Sequence, residues 1–245
     1  MQKFFISLEE FQKETLTGEV AFQVKNVLRS KVGDQFLLGV VPKTYLAEII
    51  TIENKEIKFR VVKEVTGNFE LPVFVSLFQG FPKADKLESI IKYGVQLGVS
   101  EIHPILMNRS IFKLDQNKKD SKLERFNKIS KEAAEQSYRN IVPKVQDIKK
   151  LKAVDFSEYT IKLLCYEESA KQGENATFKR VIQEATEKDK IAVVVGPEGG
   201  MSEEEVSYLK SLGFLCVGLG PRILRTETVI YYVLSAMSYE WELRK

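Results

Sequence analysis

Two short apolar runs near the C-terminus each lead into a glycine-containing loop, and this pairing constrains the fold more than any other feature. The first run is Ile191-Ala192-Val193-Val194-Val195, followed by Gly196-Pro197-Glu198-Gly199-Gly200. The second is Phe214-Leu215-Cys216-Val217-Gly218, followed by Leu219-Gly220-Pro221-Arg222-Ile223-Leu224-Arg225-Thr226-Glu227-Thr228. Glycine at a strand end tolerates positive φ and lets the backbone approach a ligand. In parallel α/β sheets, ligands bind at the carboxyl ends of the strands. The two loops are therefore expected to line one small-molecule pocket. The second loop adds two arginines and a glutamate, so the pocket is expected to be chemically active.

The chain from Val73 onward fits such a sheet. Val73 to Leu77, Ile102 to Met107 and Ile161 to Cys165 read as further strands, the second interrupted by His103 and Pro104. Between them, Leu87, Ile90, Ile91, Gly94 and Val95 fall on one helical face, and Leu123, Phe126, Ile129 and Ala133 mark a second amphipathic helix. Asp115 to Ser121 is a polar connector. Ser202 to Glu205 has the form of a capping box. A last helix starts near Thr226, with Ile230, Val233, Leu234, Met237 and Trp241 on one stripe. Tyr231, Tyr232 and Tyr239 lie off that stripe, leaving open a plain core helix or one that also meets a second subunit. Strands alternating with helices predict an α/β domain with a mainly parallel sheet over 72–245.

Residues 1–68 read differently. Phe36 to Val41, Tyr45 to Ile50 and Ile57 to Val62 are closely spaced strands separated by Pro42-Lys43-Thr44 and Glu53-Asn54-Lys55. This spacing suggests a small barrel. Glu19 to Ser30 is a short helix candidate, followed by a turn at Lys31-Val32-Gly33-Asp34. The boundary is expected at Thr66-Gly67-Asn68.

Composition narrows the function. The chain of 245 residues is 44% hydrophobic and 29% charged, as expected of a globular protein. No apolar run approaches the ~20 residues of a membrane span, and the N-terminal apolar patch is too short for a signal peptide. Cys165 and Cys216 are far apart and read as buried thiols of a reducing cytoplasm. One histidine and no close cysteine pair argue against a metal site. The net charge of +3 does not announce a nucleic-acid binder, but from Arg109 to Lys150 basic residues outnumber acidic ones. That stretch is either a phosphate-binding surface or an ordinary solvated face.

Common nucleotide motifs fail. Gly218-Leu219-Gly220-Pro221-Arg222-Ile223 begins like a dinucleotide fingerprint but lacks its third glycine and the later βαβ units. There is no Walker A sequence and no Gly-x-Ser-x-Gly elbow. His103 has no identifiable partner and reads as structural.

Taken together, several blocks resemble the family that methylates N3 of a uridine in 16S ribosomal RNA, within the SPOUT methyltransferase superfamily. They are Val27-Leu28-Arg29 with Gly33-Asp34, Lys83 to Glu88, Leu97-Gly98-Val99, Arg109-Ser110, and Glu132 to Asn140 followed by Val142-Pro143. The strongest matches are Gly196 to Gly200 and Leu219 to Thr228. The resemblance covers nearly the whole chain. It implies a PUA-like RNA-binding β-barrel at the N-terminus and a C-terminal methyltransferase domain tied in a trefoil knot. It also implies a homodimer, S-adenosylmethionine as cofactor, and 16S rRNA in the small ribosomal subunit as substrate. Two positions depart from the family's pattern. Val95-Gln96 stand where Thr-Glu is usual, and Ala21 to Asn26 carries no histidine.

The resemblance implies cofactor binding by Leu164, Tyr166, Gly196, Pro197, Glu198, Gly199, Gly200, Leu219, Gly220, Ile223, Leu224, Arg225 and Thr226. Uridine N3 carries a proton at neutral pH, and its loss spreads negative charge onto O2 and O4. Arg225 is the first candidate to stabilise that charge, and Arg139 the second. Glu198 and Glu227 are the nearest candidate bases, although each could instead hold its own turn or helix start. Candidate RNA contacts are Arg29, Lys31, Lys83, Arg109, Arg139 and Arg222, the last also a candidate turn support. Phe4 and Phe5 are candidates for packing or stacking. Three alternatives stay open: methylation at another RNA site such as a ribose 2′-hydroxyl, a non-catalytic RNA-binding role, and a disfavoured dinucleotide-dependent oxidoreductase.

Overall fold

The structure, a computed structural model, describes residues 1–110, 119–168 and 176–244. The expected connector at 115–121 lies outside the described residues up to 118. Met1–Glu70 with Ala134–Val142 form one compact unit, and Leu71–Ala133 with Pro143–Lys245 form a second.

Side-chain alternation builds the first unit. Phe36 and Leu38 on β3 (Gln35–Val40), Ala47 and Ile49 on β4 (Lys43–Ile52), and Ile57 and Phe59 on β5 (Ile57–Val65) are all buried in one core. These strands pair antiparallel. β1 (Lys3–Phe5) joins β3 in parallel, and β2 (Thr15–Leu16) closes the far edge on β5, giving a mixed sheet of order β1-β3-β4-β5-β2. Register shifts between Leu46/Ala47 and Ile49/Thr51 curl the sheet. A short α1 (Leu8–Gln12) is capped by Ser7 and Glu10. The expected helix from Glu19 is shorter and less regular than its pattern. It is α2 (Gly18–Phe22), running into a π-helical turn, Gln23–Val27, and ending at Arg29, whose φ is 53°. Phe4 and Phe5 are buried, Phe4 edge-on to Phe36, so both pack.

In the second unit every strand pairing among the described residues is parallel. The strands are β6 (Phe74–Gly80), β7 (Glu101–Leu106), β8 (Lys144–Val145), β9 (Lys149–Lys150), β10 (Ile161–Cys165), β11 (Lys190–Val195) and β12 (Leu215–Val217). Their order is β12-β10-β11-β6-β7-β8, with β9 also on β7. The described α-helices are α3 (Ala84–Gln96), α4 (Lys119–Gln136), whose residues from Ala134 belong to the first unit, α5 (Thr177–Glu184), α6 (Glu203–Ser211) and α7 (Thr226–Ser238). α6 carries the expected capping box of Ser202 and Glu205. On α7 the buried residues are Thr226, Ile230, Val233, Leu234 and Met237. Trp241, beyond its end, donates to the Ile182 carbonyl at 2.7 Å.

β7 runs unbroken through His103 and Pro104, contrary to the expected interruption. β8 pairs at Glu101 and Ile102, and β9 at Ile105 and Leu106, so the ladder is open between them. Backbone groups alternate sides along a strand, and the Ile102 carbonyl points to the β8 side, where it accepts from Gln146. Pro104 faces that same side, in the gap where no N–H is required. His103 stacks on Phe78 with ring centroids 4.2 Å apart, and its Nε2 lies 2.9 Å from Glu101. Burial would raise the Glu101 carboxyl, but the adjacent His103 ring and hydrogen bonds from Ser76 and Tyr159 bring it down to about 2. The histidine is thus part of a buried polar cluster.

Among the described residues no helix is long and apolar enough to cross a membrane. No group of three or more His, Cys, Asp or Glu among them could hold a metal ion.

Candidate active site

β10, β11 and β12 lie side by side, and their carboxyl ends open into one cavity of about 800 Å³. That volume falls in the range of small-molecule sites. β11 leads into the turn Gly196 to Gly200, closed by the Gly200 amide donating to the Pro197 carbonyl at 2.9 Å. Gly200 has φ 70°, where a side chain would be strained. The buried Met201 and the capped start of α6 then fix the turn from behind. β12 leads into the second loop, which ends where Arg225 caps α7 with extended backbone. From β10, Cys165, Tyr166, Glu167 and Glu168 line the third side. Burial pushes the Cys165 thiol up to about 12, which favours its protonated form.

The first loop sits close to its neighbours. A Cβ on Gly80 would lie 2.6 Å from Pro197, and one on Gly199 would lie 3.1 Å from the Arg109 side chain. Arg109 also donates to the Gly199 carbonyl at 3.2 Å. The Thr226 hydroxyl donates to the Gly196 carbonyl at 2.5 Å, linking the two loops.

Charge at the cavity is arranged around Lys86 on α3. Its ammonium lies 3.3 Å from Glu198 and 3.3 Å from Glu227. Glu198 also accepts from the Lys83 amide at 3.2 Å. Burial raises the Glu198 carboxyl, but backbone hydrogen bonds and Lys86 outweigh it and hold it below the ordinary value. Arg222 and Arg225 are exposed on the cavity lining, and neither guanidinium has a partner among the described residues.

Most of the expected cofactor residues meet here: Tyr166, Gly196 to Gly200, Leu219, Gly220, Ile223, Leu224, Arg225 and Thr226 all line the cavity. Leu164 does not. Its side chain is fully buried in the core with Phe78 and Val194. Lys83 is exposed, and Arg29 and Lys31 are exposed in the first unit. Arg139 belongs to the first unit as well, only 2% exposed, with its guanidinium paired to Glu70 through Nε at 3.0 Å and through Nη2.

Sequence reasoning missed Lys86, Glu167 and Glu168 as cavity residues. Lys86 lies inside the Lys83 to Glu88 block, and that block was the available signal. The two glutamates follow β10 directly, and only the carboxyl-end rule for parallel strands points to them.

A family model described as RNA methyltransferase domain matches residues 69–238. The chain is 40% identical to ribosomal RNA small subunit methyltransferase E of Bacillus subtilis, over 99% of this chain and 98% of that protein. Among solved structures, it is similar to ribosomal RNA small subunit methyltransferase E of Neisseria gonorrhoeae bound to S-adenosylmethionine. The TM-score there is 0.83 at 26% identity, covering 98% of each chain. A Legionella pneumophila methyltransferase in complex with the same cofactor gives a TM-score of 0.80 at 29% identity, covering 91% of this chain and 90% of that one. With a match spanning its second unit and a relative aligned from end to end, the chain belongs to the RNA methyltransferase family of the ribosomal RNA small subunit methyltransferase E type.

Proposed function

We propose that this protein transfers a methyl group from S-adenosylmethionine to N3 of a uridine in 16S rRNA of the small ribosomal subunit. The observation that carries this reading is the cavity at the carboxyl ends of β10, β11 and β12, walled by the two loops and edged by Arg222 and Arg225, whose guanidinium groups have no partner among the described residues. The donor set suits the cofactor. Val195, Val217, Leu219, Ile223 and Leu224 offer apolar walls for an adenosyl group, and the loop backbones offer main-chain partners. Glu167, Glu168 and Glu198 make the wall hospitable to a sulfonium cation.

Bound there, the cofactor supplies an electrophilic methyl group. The loops' part is to orient it toward the base, since in-line alignment carries much of such a rate. As the N3 proton leaves the uracil, charge grows on O2 and O4, and the Arg225 guanidinium stabilises it. Glu198, paired with Lys86, orients the site, and the N3 proton passes to solvent water. Arg139, buried against Glu70, is assigned to holding the first unit together.

The first unit is read as a PUA-like barrel that holds RNA phosphates through Arg29 and Lys31, with Lys83, Arg109 and Arg222 doing so beside the cavity. Its parallel β1–β3 pair and curled antiparallel strands support that reading. The two cavity loops are read as the knotted segment. β12 lies beyond β10 from β11, so the chain crosses β10 just before the second loop. A homodimer is supported by aromatic side chains on α3 and α7: Tyr93 is 44% and Tyr232 41% exposed. Free Cys165 and Cys216 accord with the cytoplasm.

The test is methyl transfer from labelled S-adenosylmethionine to unmethylated small subunits, followed by nucleoside mass spectrometry. New 3-methyluridine is expected. A methylated ribose would move the target, and absence of both label and cofactor binding would sink the reading.

A further inference from the structure

We infer that Gln79 is a positioning residue for the methyl-transfer site, setting the first cavity loop and the Arg225 end of α7 relative to each other. This rests on the proposed reaction for its consequence, and on the geometry of the second unit for its origin. Gln79 stands at the end of β6 and is fully buried. The two hydrogens on its Nε2 go to the Thr226 hydroxyl at 2.8 Å and the Gly80 carbonyl at 2.9 Å, and the Gly196 carbonyl at 3.3 Å shares one of them. Two of these partners are carbonyls, which only accept, so the amide nitrogen must face them. The Thr226 hydroxyl then gives its proton to the Gly196 carbonyl and its lone pair to Gln79. Gln79 donates to the Thr226 hydroxyl and Thr226 donates to the Gly196 carbonyl, with the longer Gln79–Gly196 contact as the third side of a triangle whose donations all end on that carbonyl.

The position of that triangle gives it its effect. The β6–β11 ladder ends at the pair Val195 and Gln79, so Gly196 is the first residue that the sheet no longer holds. Thr226 is the first residue of α7 and follows Arg225, whose carbonyl accepts from the Thr228 and Val229 amides at 2.8 and 3.1 Å. Gln79 therefore grips the root of one loop and the end of the other at one point. The close approach of Pro197 to Gly80 keeps the loop root within reach of the amide. The other end of the amide, Oε1, is buried without a hydrogen-bond partner among the described residues. An apolar side chain of equal length would avoid that cost, so what Gln79 contributes beyond filling space is its donor group.

Gln79→Met keeps length and burial and removes the donor. In the free protein, hydrogen exchange at the Thr228 and Val229 amides is expected to quicken, while the melting transition stays cooperative. With cofactor and small subunits, kcat is expected to fall by about a hundredfold, the scale of an ångström-level misplacement. If Gln79→Met does not fold, Thr226→Val, which removes another vertex at constant shape, is read the same way. Unchanged exchange overturns the inference, as does faster exchange with unchanged kcat. The exchange measurement needs neither cofactor nor RNA, so it tests the Gln79 link independently. A wild-type protein that transfers no methyl group would count against the proposed reaction instead.

Discussion

Lys86 holds its ammonium 3.3 Å from the carboxylate of Glu198, and at the same distance from Glu227, so a side chain of α3 ties the first cavity loop to the first turn of α7. Two carboxylates around one ammonium leave a residual negative charge on the cavity wall. Removing Lys86 leaves two like charges facing each other without the cation between them.

The expected result for Lys86→Met is a loss of about 1 kcal/mol at neutral pH, the scale of a partly exposed ion pair. The Glu198 carboxyl lies below its ordinary value of 4.5 in the folded chain. Its contribution is therefore present above that value and fades as pH falls through the folded value. Urea titrations of both proteins should differ at neutral pH and converge as pH falls through the folded value of Glu198, below 4.5. A constant difference across that window would show that Lys86 acts by packing alone.

Gly80→Ala tests how tightly the first loop is seated. The new methyl group would lie 2.6 Å from both Cδ and N of Pro197, and the nitrogen belongs to backbone that cannot rotate away. Overpacking of this kind costs about 1–3 kcal/mol. The variant is expected to lose that much in urea and to bind the cofactor more weakly by calorimetry, because the loop must shift to make room. Wild-type affinity would show that the loop root can move without consequence.

Most of the second unit's plan was legible because buried parallel strands and amphipathic helices leave local patterns. Val193 and Val194, or Leu87 and Ile91, announce their burial within a few residues of sequence. The same logic failed at Pro104, since whether a strand tolerates proline depends on a gap between β8 and β9, 40 residues downstream. Arg139 illustrates a deeper limit. A charged residue in a motif reads as available for chemistry, yet here it is buried against Glu70, a partner 69 residues away. Lys86 was hidden for a similar reason, its two carboxylates being far away in sequence. Loop chemistry could be read from glycine and arginine content, whereas the pairings that set each charge are long-range.

Lys3 offers a pH test of the first unit. It is 1% exposed, and its ammonium donates to Thr44 at 2.7 Å and to the Tyr138 and Arg139 carbonyls at 3.2 and 2.6 Å. Burial lowers its pKa from 10.5 to about 8, with Glu70 and Glu135 opposing. Between those values the unfolded chain binds more protons than the folded one, so this group's contribution to stability rises with pH across the window from about 8 to 10.5. Against Lys3→Met, which cannot titrate, the wild-type protein should gain stability through that range. Parallel stability curves would mean that Lys3 keeps its ordinary affinity for the proton.

Arg225 is the residue on which the chemistry should turn. It caps α7, lines the cavity and has no partner among the described residues, so its charge is free to meet an incoming group. A donor that meets developing negative charge typically contributes a factor of about 10²–10³ to kcat. Arg225→Ala is therefore expected to lower kcat by that factor while the cofactor dissociation constant, measured without RNA, moves little. Arg225→Lys keeps the charge but loses the planar fork that can span O2 or O4 together with a second acceptor, so it should recover only part of the rate. Gln79→Met should resemble Arg225→Ala in kcat and differ from it in hydrogen exchange, because one variant removes the guanidinium and the other displaces it. If Arg225→Ala instead loses cofactor affinity and keeps kcat at saturation, the guanidinium holds the cofactor, and charge stabilisation at the uracil must come from another residue such as Arg222.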